Sequence, residues 1–138
     1  MPALAAAASL ASAATAFAAQ TSVNIQARVS IQTSCVVTAG DLNFGNVGTI
    51  FGGETASATV SVNCSLGTPY TLSFSASSSV TAYNGQMVNG ASTVAYSAAL
   101  SAAGGTGPGS HTILGMLPPQ ATPASAIYTD NRTVYLNY

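Results

Sequence analysis

The chain has 138 residues, 4% of them charged, with two arginines, three carboxylates and a formal net charge of −1. That length sets a ceiling of one domain with a modest core, and two arginines cannot build the basic stripe that nucleic acid requires. Polarity comes instead from Ser, Thr, Asn and Gln, so copies of the chain meet with little Coulomb repulsion and highly charged partners gain little steering.

Residues 1–19 form an Ala/Ser/Leu run that closes with Ala16-Phe17-Ala18-Ala19, the small-x-small pattern of a secretory cleavage site. Export is the expectation. No Lys or Arg precedes the apolar run, so a signal peptide over residues 1–19 is truncated or starts upstream; a buried Ala-rich helix is the other reading. A membrane span is disfavoured by the shortness of the run and its several Ser and Thr.

Cleavage after Ala18 or Ala19 would put residues 20–31 at the mature N-terminus. There Val23, Ile25, Ala27, Val29 and Ile31 alternate with Asn24, Gln26, Arg28 and Ser30, the period-two signature of a strand with one face to bury. Such a strand would reach roughly 40 Å, about twice the usual length. It divides into two segments. Residues 20–27, with Val23, Ile25 and Ala27, are free to serve a neighbouring copy; from Arg28 onward the strand is expected in the sheet of the domain itself, residues 28–138. A single long edge strand, or a bent strand shared between two sheets, is the plainer alternative.

Cys35 and Cys64 fit an exported chain with one disulfide that staples two strands. Closing a loop of about 30 residues is worth roughly 3 to 4 kcal/mol in the chain-entropy account. Two cysteines and one distant His are too few ligands for a metal site. Further on, Leu42-Asn43-Phe44-Gly45-Asn46-Val47 predicts a short strand before Gly-rich bends at Gly48 and Gly52-Gly53.

Residues 55–64 alternate cleanly, with Ala56, Ala58, Val60, Val62 and Cys64 on one side. Tyr70, Leu72 and Phe74 carry the next strand, and residues 75–79 form a low-complexity polar loop. Residues 80–88 read as a short hairpin with Asn84-Gly85 at its turn. Asn89-Gly90 is another turn, and Val94, Tyr96, Ala98 and Leu100 share one face of the strand after it. Residues 104–109 are a flexible Gly-rich loop, residues 111–117 a strand with either face available, and residues 118–126 too rich in proline for a central strand. Val134, Leu136 and Tyr138 form one face of the last strand. Short strands about ten residues apart, separated by Gly/Pro/Asn turns, predict an all-β sandwich.

The residues supply no catalytic, metal or cofactor site. His111 lacks a nucleophile elbow, since no Gly-x-Ser-x-Gly occurs, and is expected as an exposed loop histidine. Asp41, Glu54 and Asp130 are scattered; Asp41 and Asp130 suit turn capping. The glycines from Gly104 to Gly109 lack the Lys-Ser/Thr of a phosphate loop. Asn63-Cys64-Ser65 and Asn131-Arg132-Thr133 match the glycosylation acceptor by form but fall in predicted strands. Tyr70, Tyr96 and Tyr138 are expected in the core rather than on a sugar-binding face.

Several stretches together resemble the spore coat U domain family, which includes subunits of archaic chaperone–usher pili. They are the alternating strand leading to Cys35, Leu42-Asn43-Phe44-Gly45, Val60-Ser61-Val62-Asn63-Cys64 with Gly67-Thr68-Pro69-Tyr70-Thr71-Leu72, Met87-Val88-Asn89-Gly90 with Val94-Ala95-Tyr96, and the ending from Tyr128-Thr129-Asp130 to Val134-Tyr135-Leu136-Asn137-Tyr138. The resemblance implies an immunoglobulin-like sandwich that lacks its final strand. A periplasmic chaperone would fill the resulting groove first, and the N-terminal strand of the next subunit, delivered through an outer-membrane usher, would fill it permanently. Val23 and Ile25 would then be the anchors and Ala27 a small one. A secreted coat or matrix protein, closed by its own N-terminal strand, is the competing expectation.

Overall fold

Alternation becomes eight strands: β1 (Cys35–Ala39), β2 (Thr55–Cys64), β3 (Pro69–Ser73), β4 (Ala82–Asn89), β5 (Ser92–Leu100), β6 (Gly104–Thr106), β7 (Gly109–Met116) and β8 (Tyr135–Asn137). They are seen in a computed structural model that describes residues 19–138. The signal segment expected over residues 1–19 lies, Ala19 apart, outside the described residues. The chain divides into two units between Ser30 and Ile31. Within the first, residues 19–30 have no regular structure and their side chains are exposed.

The second unit is the all-β sandwich that the turn spacing predicts. A five-stranded antiparallel sheet in the order β1-β2-β7-β5-β4 faces a three-stranded one, β6-β3-β8. In β2 every second residue is buried, so Ala56, Ala58, Val60, Val62 and Cys64 line the interior. Across the sheet Val94, Tyr96, Ala98 and Leu100 of β5 and Ile113 of β7 join them, and Leu72 of β3 meets them from the opposite sheet. Val60 and Leu72 are fully buried. At about 25 cal/mol per Å² of apolar surface removed from water, this layer is the main source of stability.

Four expectations are corrected. No strand runs from Arg28: β1 begins at Cys35, extended by Ser34, which accepts a backbone hydrogen bond from Ser65 at 2.9 Å. Val29 and Ile31 are therefore 82% and 83% exposed instead of lining the domain's own sheet. Residues 42–47 are not a strand either. Their apolar side chains pack inward from a loop, with Leu42 and Phe44 over Gly115 and Phe44 edge-on to Tyr96 at 6.1 Å. A period of two is reproduced by any extended segment that dips every second side chain into a core, with or without a ladder.

The hairpin expected around Asn84-Gly85 is one continuous strand, β4, paired along its length with β5. Gly85 faces the Tyr96 ring, where a Cβ would lie 2.6 Å from Cε1. The glycine is a close approach, not a turn. The loop expected over residues 104–109 contains β6, whose Gly104 lies so close to the Tyr70 carbonyl that a side chain would collide with it. Prolines behave as expected: after β7, Pro118 and Pro119 end the ladder, and the Gln120 side-chain amide bonds both the N–H and the C=O of Ala95 at 2.8 Å.

Candidate functional site

Each sheet ends in a short strand on the same side of the sandwich. β1 is an edge of the five-stranded sheet, β8 an edge of the three-stranded one, and the two approach each other. β8 is hydrogen-bonded to β3 along one edge, through the pairs Thr71–Asn137, Leu72–Leu136 and Ser73–Tyr135. Its other edge pairs with no strand among the described residues, so that row of N–H and C=O groups is available to an added strand. The inward side chains along this seam, Cys35 and Val37 on β1 and Val134 and Leu136 leading through β8, pack on the core yet stay only half-buried. A sandwich closed there would bury them.

Two devices fasten the segments on either side of the seam. On the β1 side, Cys35 stands directly opposite Cys64 in the ladder and the two form a disulfide with a Cα–Cα distance of 4.0 Å. This is the pairing expected from the sequence. On the β8 side, the approach to the strand is fastened to β4 and β5. Val88 and Thr129 exchange backbone hydrogen bonds at 2.9 and 3.2 Å. The Tyr96 hydroxyl donates to Asp130 Oδ2 at 2.8 Å, the Tyr83 hydroxyl lies 3.0 Å from that of Tyr96, and Arg132 Nε reaches the same carboxylate oxygen at 2.9 Å while stacking on the Tyr83 ring. Burial first, then hydrogen bonds to Tyr83 and Asp130, push Tyr96 above the usual tyrosine range, which keeps its proton in place as the donor. Asp130 thus serves this network and not a simple turn cap.

The remaining charged groups are local. Glu54 accepts the backbone N–H of Phe51 and of Gly52, each at 3.1 Å. Its carboxyl sits below the ordinary range, by its own backbone N–H first and that of Phe51 next. His111, expected to be exposed, is half-buried on β7, within the strand expected over residues 111–117, with Nε2 2.7 Å from the Tyr70 hydroxyl, and its role there is to satisfy a buried phenol. Tyr70 and Tyr96 are in the core as expected; Tyr138 is 63% exposed, because β8 ends before it. Asn131-Arg132-Thr133 is not in a strand. Among the described residues no group of three or more His, Cys, Asp or Glu could hold a metal ion, and no helix is long and apolar enough to cross a membrane.

Of the subunit-binding residues expected from the sequence, Val23 and Ile25 are 86% and 92% exposed and Ala27 is exposed as well. Val29 and Ile31, expected in the domain's own sheet, continue the same row and are as exposed.

The family model for the Spore Coat Protein U domain matches residues 19–135. Neither curated proteins nor solved structures yield a match.

Proposed function

The chain belongs to the Spore Coat Protein U domain family, and from that premise we propose that it is a structural subunit of a surface pilus assembled by the chaperone–usher route. The family is associated with such subunits. In this reading the protein is exported, passes through the periplasm with a chaperone strand in its open seam, and is handed by an outer-membrane usher to the next copy. The finished fibre lies on the cell surface and supports adhesion and biofilm formation.

One observation carries the reading: a sandwich with a half-buried seam between β1 and β8 belongs to a chain whose residues 23–31 present an exposed apolar row with strand periodicity. Donated to another copy, that row would pair with the free edge of β8 and lay its apolar side chains over the seam. Val23 and Ile25 are the anchors and Ala27 the small filler, and the row extends to Val29 and Ile31. Each of the four larger side chains contributes about 1.5 to 3 kcal/mol on burial. The period of two fixes register, since a slip of one residue turns the whole row outward. The joint also removes an edge that would otherwise aggregate.

The test is a chain beginning at Gln32, melted under oxidising conditions with increasing amounts of a synthetic peptide spanning residues 20–31. A saturable rise in Tm is expected, as for any ligand of the folded state alone. A stable domain indifferent to the peptide would transfer the argument to the self-closed coat or matrix protein.

A further inference from the structure

Two large apolar side chains stand exposed at opposite ends of the sandwich, apart from the seam and from the donated row. Residues 50–54 lead into the first residue of β2 and the turn Ser65–Thr68 follows its last, so the ten residues of β2 set the two roughly 33 Å apart. Phe51, before β2, is 80% exposed; Leu66, at the tip of the turn, is 93% exposed. Both loops are fastened. The Ile50 N–H donates to Thr122 Oγ1 at 2.8 Å, and the Glu54 carboxylate accepts the N–H of Phe51 and of Gly52. Leu117 accepts the Gly53 N–H at 3.2 Å and donates its own to the Glu54 carbonyl at 2.9 Å. At the other end the Thr68 N–H closes the turn on the Ser65 carbonyl at 3.1 Å. The Ser65 hydroxyl accepts the Ser34 N–H at 3.1 Å and donates to the Gln32 carbonyl at 3.2 Å. An apolar group displayed on a fastened loop loses little conformational freedom when it is covered.

We propose that the two meet across the joint between successive copies, Phe51 of the copy that receives a strand against Leu66 of the copy that donates it. The inference rests on the seam reading and on strand direction. β3 starts at Pro69, just past the Leu66 turn, and β8 is antiparallel to it, so β8 runs toward the Leu66 end. All strand pairs among the described residues are antiparallel, the slightly more stable arrangement. A donated row that continues this pattern along β8 runs the opposite way and finishes, at Ile31, at the Phe51 end of the receiving copy. The nine residues from Val23 to Ile31 reach about 30 Å, close to the length of β2. Only Gln32, Thr33 and Ser34 then separate Ile31 from Cys35 of the donating copy, and none of them is Gly or Pro. In that copy Gln32 and Ser34 are bonded to Ser65, the neighbour of Leu66. Three residues span about 10 Å, so the Leu66 end of the donor is drawn against the Phe51 end of the acceptor. The contact needs no large area of its own. The donated strand is the tether, and at the effective concentration of so short a link one apolar pair adds to its hold.

The experiment uses polymers of the full chain carrying both Phe51→Cys and Leu66→Cys, treated with a short bismaleimide. The two positions are too far apart to be bridged within one copy, so a covalent ladder in a denaturing gel is expected, and no linked dimer from either single variant. As a second readout, Phe51→Ser and Leu66→Ser should each speed the release of a labelled subunit from polymers about tenfold. Combining them should add little to either alone, and the Tm of the unpolymerised chain should not move, because both side chains are exposed in it. Doubly substituted polymers that stay unlinked, or a release rate that either serine variant leaves unchanged, would overturn the proposal while the seam reading stands. Linked dimers from a single cysteine variant would overturn it as well, since like ends would then meet and the donated strand would run parallel to β8. The seam reading fails on a different result, polymers that persist when Ile25→Asp is added, and the tether for this contact falls with it.

Discussion

Residues 23–31 and β2 carry the same pattern and meet opposite fates. In β2, alternate residues reach 0% exposure at Val60 and 3% at Val62; in the N-terminal row Val23, Ile25, Val29 and Ile31 all exceed 80%. The difference is what flanks them. β2 has β1 on one edge, β7 on the other and Leu72 of β3 across the core, while residues 19–30 have no regular structure. A period of two specifies a strand with a face to bury; it does not say in which molecule the partner lies.

The same substitution at equivalent phases of the two patterns separates them most sharply. Val60→Asp places an unpaired carboxylate at a fully buried position and should cost more than about 4 kcal/mol, a large share of the roughly 5 to 15 kcal/mol that keeps a domain folded, read as a steep drop in melting temperature. Next comes the disulfide that ties β1 to β2. Replacing Cys35 and Cys64 together by Ala should lower stability by about 3 kcal/mol, measured as a lower urea midpoint with a steeper slope, because the unfolded chain is less compact without the crosslink.

On the far side of the seam, Tyr96→Phe should cost about 1 to 2 kcal/mol by leaving Asp130 and Tyr83 one partner short. The pH profile gives a second check. Tyr96 holds its proton in the folded chain at a pH where an ordinary tyrosine, near 10.0, loses it. Its contribution is therefore complete below that pH and declines as pH rises beyond it. Melting temperatures of the wild type should fall over that alkaline range more steeply than those of Tyr96→Phe. The smallest effect closes the comparison: Ile25→Asp should change folding stability by less than about 0.5 kcal/mol and yet abolish long polymers. Wild-type polymer lengths, or a destabilised domain, would show that the row has its partner at home.

The strands legible in the sequence were those whose two faces differ chemically: β2, β3, β5 and β8 follow from Val60, Leu72, Tyr96 and Leu136 with their neighbours. The Cys35–Cys64 pairing was legible because each cysteine ends an alternating stretch. What failed was punctuation. Asn84-Gly85 and the glycines from Gly104 look like turns because a sequence does not show what approaches them; here the absent side chains make room for the Tyr96 ring and the Tyr70 carbonyl. The same blindness hid the seam. Half-burial along β1 and β8 depends on which strand lies beside which, and the Tyr83–Tyr96–Asp130–Arg132 network joins residues from distant parts of the chain. Val29 and Ile31 have the strand pattern but lie in no strand of the domain.

The disulfide also has a mechanical meaning. A pull applied to the N-terminal residues travels along the chain to Cys35, the first residue of β1, and from there passes through a covalent bond to Cys64 at the end of β2. Tension therefore bypasses the hydrogen bonds of β1, which would otherwise peel off one at a time from that end. It enters a strand ten residues long that is bonded to neighbours on both edges and that yields only if several bonds shear together. The weakest edge strand of the larger sheet is thus taken out of the load path, and in a reducing medium it would become the first part of the domain to tear.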